Sequence, residues 1–302
     1  MTFTRWRSAF APGLSYALMA SAAAGQAPPR ETAEPEIVVV GERDRERQVR
    51  AFVEALAVPS ASNQLGRAED GICPTSFGLA AAENARFIKR MRRVAEAAGV
   101  KRAPESCRPN VVLFVVPDKK AAIAHWRVKR PDFFDGLHPR EIDRLAGTAD
   151  PVAAWQIVHQ KGAGRRAIAE NVEGIADHII VNHANPGRIG SNVQLEFFAA
   201  FIVIEAAALG EATLVQVADY AAMRTLARTD PEAALAQPLP TILSLFEPGR
   251  GAEAPLSVTQ WDLGFLKALY GTRSAYGARD QQKAMARKLR DHLAGADAQA
   301  RD

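Results

Sequence analysis

The side chains in this chain that could do acid–base or metal chemistry are few and scattered. Its six histidines are His125, His138, His159, His178, His183 and His292. Only His178 and His183 lie close together, and a spacing of five puts them on opposite faces of a strand and matches no usual helical ligand pair. A loop could still bring them together around a metal, but ordinary surface or hydrogen-bonding histidines are the simpler reading. Glu205 ends a long apolar run, so it is either a buried base with a raised pKa or the residue at which a strand leaves the core. Asp219 and Tyr220 sit inside an apolar helical pattern. There the tyrosine can bury its ring while its hydroxyl finds a partner. The aspartate requires solvent or a specific donor.

The common catalytic signatures are missing. There is no Gly-x-Ser-x-Gly elbow, no phosphate-binding Gly-rich loop and no His-Glu-x-x-His helix. No catalytic, cofactor-binding or metal-binding residue is therefore assigned from the sequence, and no cofactor is implied. The two cysteines, Cys73 and Cys107, most simply form one structural disulfide in an exported chain. Free thiols or a redox role are the alternatives, although a redox pair usually sits as Cys-x-x-Cys.

The elements that must position these residues are easier to read. Val49, Phe52, Val53 and Leu56 share one helical face. Phe87, Ile88, Met91, Val94, Ala95 and Ala98 do the same in a second helix, which Gly99 is placed to end. A disulfide would tie the start of that second helix to the lead-in of the next strand. That strand is the unbroken apolar run Val111 to Val116, and Asp118 is placed to cap a helix running through Trp126. A strand is expected over residues 154–158. Residues 160–192 read as a long loop with a short strand at His178 to Val181. Leu195 to Leu209 suits a central strand, followed by helices over 213–227, 257–270 and 279–293. Few strands among many helices give an α+β fold, a small mixed sheet covered by helices.

At the N-terminus, Arg5 and Arg7 precede a small, apolar stretch from Phe10 to Ala24 and small-residue cleavage sites up to Ala27. This is the layout of a secretory signal. Pro12 and Gly13 interrupt it, and no run reaches the ~18–20 apolar residues of a bilayer span. No cysteine stands at the cleavage site for lipid attachment. The expected organisation is a signal peptide over 1–27, a linker or arm over 28–45, one α+β domain over 46–294 and a disordered tail over 295–302. The expected compartment is the periplasm or the medium. Cleavage would lower the formal charge from +4 to +2 by removing two arginines and no acid. With no dense basic block, nucleic acid is a poor partner.

Three resemblances bear on function. The segments Thr213–Ala227, Thr241–Phe246 and Trp261–Tyr270, with the two cysteines, resemble a family of uncharacterised exported bacterial proteins. Their order is also similar to that of zincin-type metallopeptidases: a zinc helix, a short turn, then a final helix ending near Leu-Tyr. Asp219, Tyr220 and Met223 stand where His-Glu-x-x-His would fall, so this resemblance implies a zincin-like fold without the peptidase chemistry. The octet Glu36–Arg43 resembles the stretch near the mature N-terminus of TonB-dependent outer-membrane transporters, which implies a role beside outer-membrane transport, but no barrel-strand alternation follows residue 110 and an edge strand or a sticky arm is the simpler reading. The leading expectation is a non-catalytic periplasmic or cell-surface protein that binds an unidentified protein or small ligand. The alternative is a secreted hydrolase using Glu205, Asp219 or His183.

Overall fold

The buried side chains of three neighbouring strands alternate between two faces, and each face builds its own core. In the computed structural model, Val111, Leu113, Ala200, Ile202, Ile204 and Val152 point to one side. Val112, Phe114, Phe201, Val203, Ala153, Trp155 and Ile157 point to the other. A period of two in near-continuous apolar runs is what a strand buried on both faces requires. The structure describes residues 41–299 except 61, 163–167, 173–174, 181–192, 237–238 and 250–252. The expected export signal, the Ile37–Val40 arm and His183 lie outside the described residues.

The described residues begin with α1 (Glu42–Leu56) and β1 (Pro74–Phe77), then α2 (Ala81–Ala97), β2 (Val111–Val116) and α3 (Lys119–Lys129). A 3-10 turn at Pro131–Phe134 leads to α4 (Pro139–Gly147) and β3 (Val152–Gly162). A hairpin of β4 (Ile168–Val172) and β5 (Ile175–Ile180) precedes β6 (Val193–Glu205), α5 (Ala206–Leu209) and α6 (Leu214–Leu226). The chain continues through α7 (Pro231–Leu235), a 3-10 turn at Ile242–Phe246, α8 (Gln260–Tyr270) and α9 (Ala278–Gln299). The main sheet has the order β1-β2-β6-β3. The first three strands run parallel, and β3 lies antiparallel to β6 as an edge. Helices α1, α2, α6, α8 and α9 cover the first face, and α3, α4 and the turn between them cover the second. The fold is α+β, a small mixed sheet covered by helices. Among the described residues no helix is long and apolar enough to cross a membrane.

Several expectations are met residue by residue. Val49, Phe52, Val53 and Leu56 are all buried along α1. Gly99 follows α2 with φ of 87°, a backbone conformation that side chains resist. The Asp118 carboxylate accepts from Ala121 N at 2.8 Å and caps α3.

Other expectations change. Helix α1 starts at Glu42, inside the segment expected as an arm, and α9 extends to Gln299, inside the expected tail. The stretch over 160–192, expected as a long loop with one short strand at His178 to Val181, contains the end of β3 and the β4–β5 hairpin, of which β5 overlaps the expected strand. No sequence pattern points to strand β1.

That strand alters what the disulfide holds. Cys73 and Cys107 are bonded, with Cα atoms 5.9 Å apart. Cys73 immediately precedes β1, so the bridge joins the entries of two parallel strands on either side of the α2 crossover. It does not pin the helix start, as the helical pattern alone suggests. Asn110 reinforces the same junction: its Oδ1 accepts from Cys73 N at 2.7 Å and its Nδ2 donates to Gly71 O at 3.1 Å. Gly78, just past β1, has φ of 92°, and a Cβ there would run into the Val115 carbonyl of the neighbouring strand's end.

Candidate functional site

Helix α6 is the central element of the molecule. From Gln216 to Leu226 every residue is buried, so it is covered on all sides and not along one stripe. Its charged and polar side chains must therefore find partners inside the protein. Asp219, with no solvent exposure, receives both Nε and Nη2 of Arg90 from α2 at 2.6 Å. It also accepts from Val258 N at 2.8 Å. Tyr220 packs edge-on against Phe246 with ring centroids 4.7 Å apart, and its hydroxyl accepts from Arg224 Nη1 at 2.8 Å. Burial pushes the Tyr220 phenol pKa up, against the pull of Arg224, so the hydroxyl keeps its proton.

Arg224 faces a cavity of about 580 Å³. The cavity lies along β3, where Ala154, Trp155, Gln156 and Val158 line it in succession. Glu205 N bonds to Pro151 O at 3.0 Å. In the antiparallel ladder that makes the odd residues of β3 pair with β6, so the main-chain groups of Ala154 and Gln156 turn to the open edge. One wall comes from Asp135 and Leu137 after the 3-10 turn, with Glu141 and Arg144 of α4. The other comes from Val58 and Ser60 and from the segment after α6, Arg228 to Pro231. Gln156 fixes that second wall to the strand, since its Nε2 donates to Arg224 O at 2.7 Å and to Ala227 O at 3.3 Å.

The charges of this cavity are unevenly used. Its acids are all engaged. Glu141 Oε2 accepts from His138 N at 2.8 Å and its Oε1 stands 3.8 Å from Arg228. Asp230 accepts from Ala233 N at 3.2 Å to start α7. Asp135 Oδ2 lies 4.0 Å from His159 Nε2. Arg224 is only 8% exposed, yet among the described residues it has no carboxylate partner. The Arg144 side chain, exposed at the rim, makes no hydrogen bond or ion pair with the described residues. The Thr229 hydroxyl in the same wall is buried without a hydrogen-bond partner among them. A buried cation without a counter-charge is costly, and so is an unpaired buried hydroxyl.

A second cavity, of about 480 Å³, lies on the other side of Pro231 and is reached by Tyr220 from the same helix. Asp150, Glu232 and Glu247 line it together with Leu243 and Phe246. Lys119 shapes its border: the buried Nζ donates to Thr148 O at 3.0 Å, Thr148 Oγ1 at 2.7 Å and Asp150 O at 2.6 Å. Burial pushes the Lys119 pKa down, with Asp150 and Glu205 pulling it back.

The residues singled out in the sequence do not converge. Glu205 accepts from Lys119 N at 3.0 Å and so secures the start of α3. Asp219 belongs to Arg90. Neither lines either large cavity, so the version of the hydrolase that gathers these carboxylates in one pocket is not what the fold builds. The described histidines are dispersed. His138 caps α4 through Nδ1, which accepts from Arg140 N at 3.2 Å. His159 stacks on Phe198, His292 contacts Gln260 and His125 is exposed. His178 pairs through its backbone with Glu170 in the hairpin. Met223 is fully buried. Among the described residues no three of His, Cys, Asp or Glu cluster as a metal site.

Arg224, Thr229 and Gln156 belong to no motif in the sequence. The one signal the sequence carries is the Tyr220–Arg224 spacing of four within an apolar helix, which puts a cation over a tyrosine on one helix face. Comparison with protein-family models, curated proteins and solved structures finds no match for the chain, so neither the exported-family resemblance nor the zincin-like one gains support there.

Proposed function

We propose that this is a non-catalytic binding protein of the bacterial periplasm or cell surface, and that it holds a small ligand in the cleft along β3. The observation that carries the reading is the cleft itself. It offers about 580 Å³ of space, open main-chain groups on a sheet edge, and buried polar side chains whose hydrogen-bonding capacity the described protein leaves unused. Small-molecule sites combine a mostly preformed concavity with a few convergent polar groups in this way. The disulfide is compatible with an oxidising compartment. The hydrolase alternative loses its carboxylate pair to helix capping and to Arg90.

Soaking crystals of residues 28–302 in a fragment library tests the assignment. Fragments are expected to accumulate between Gln156, Arg224 and Leu137. Hits confined to the second cavity or to the α1–α9 side, with the β3 cleft empty, would reject it.

A further inference from the structure

We infer that the ligand of the β3 cleft carries an oxyanion, a carboxylate or a phosphate, that docks on the Arg224 guanidinium; this rests on the cleft being the binding site. Arg224 spends one N–H on the Tyr220 hydroxyl, lines the half-open cavity while only 8% exposed itself, and finds no carboxylate among the described residues. A guanidinium fork matches the paired oxygens of a carboxylate or phosphate, and such charge-assisted pairs are the strong ones. Thr229 adds an unused hydroxyl in the same wall. Arg144 adds a second uncommitted cation at the rim. The three carboxylates of the cleft, Asp135, Glu141 and Asp230, are matched in number by the guanidinium groups of Arg144, Arg224 and Arg228, and Arg228 lies 3.8 Å from Glu141.

Tyr220 acts as a positioning residue. Its fully buried ring lies 5.7 Å from the Arg224 guanidinium carbon, and its hydroxyl fixes Nη1, so the fork is set before any ligand arrives. Leu137, Leu145 and Leu195 complete the lining with apolar surface, so the anion is expected on an organic body.

Calorimetric titration with benzoate, phenyl phosphate and neutral benzamide separates the possibilities. At least one anion is expected to bind about tenfold or more tightly than benzamide. The better of the two identifies the oxyanion. Arg224→Gln is expected to abolish the preference. Since Arg224 is buried, Arg144→Gln and Thr229→Val provide milder tests, each weakening the preferred anion severalfold and benzamide by less. Benzamide binding in the cleft as tightly as both anions would overturn the oxyanion and leave the binding cleft standing. Failure of all three probes to bind would overturn both.

Discussion

Replacing Asp219 by alanine is expected to cost about 3–5 kcal/mol of folding stability, the range for breaking a buried ion pair from one side. The carboxylate has no solvent exposure and satisfies three donors, two from Arg90 and one from the main chain at Val258. Its removal strands the Arg90 guanidinium, whose side chain is 22% exposed, and leaves the Val258 N–H without an acceptor. It also unties α2 from α6 and from the segment entering α8, which pack on the same face of the sheet. Urea titration checks this as a fall in midpoint at an unchanged slope. The double substitution Asp219→Leu with Arg90→Met should recover most of the loss, because an apolar pair of similar volume removes the stranded charge along with its partner. If Asp219→Ala instead folded with wild-type stability, the residue would be free for chemistry and its structural assignment would be wrong.

Reducing the Cys73–Cys107 bridge is expected to cost about 3–4 kcal/mol, from the entropy regained by an unfolded chain no longer closed over 34 residues. The loss should exceed that of an ordinary surface change because the bridge holds the two strand entries that start the parallel half of the sheet. Cys73→Ala with Cys107→Ala should reproduce the effect of reductant, and the double variant should then be insensitive to it. Thermal unfolding with and without reductant reads both results. A wild-type midpoint that ignores reductant would show that the junction is held by Asn110 and the β1–β2 ladder alone.

How far the sequence reveals this molecule depends on where each constraint lies. The run Val111–Val116 and the stripe Phe52 to Leu56 are local patterns, and both appear where expected. Strand β1 is only four residues long, begins with proline and exposes Phe77, so it has no alternation to recognise and exists through its pairing with β2. Helix α6 is legible as an apolar helical pattern around Asp219 and Tyr220, but its complete enclosure comes from tertiary packing. Its two charged side chains are then sorted by partners far off in sequence. Asp219 meets Arg90 at a separation of 129 residues, and Arg224 meets a cleft assembled from α4, β3 and the segments around residues 60 and 230. No spacing within the chain encodes those meetings. The carboxylates that stand out as chemical groups, Glu205 and Asp219, prove to be a helix anchor and an ion-pair partner. The group with unused capacity is an arginine.

A residue-resolved NMR titration of residues 28–302 with benzoate and phenyl phosphate decides whether the cleft along β3 is the ligand site. Saturable shifts are expected, confined to residues 154–158, 224–230 and 135–145, with the Arg224 Nε resonance among the most affected. Shifts concentrated around Leu243 and Phe246 in the second cavity, or on α1 and α9, with the β3 cleft silent, would contradict it.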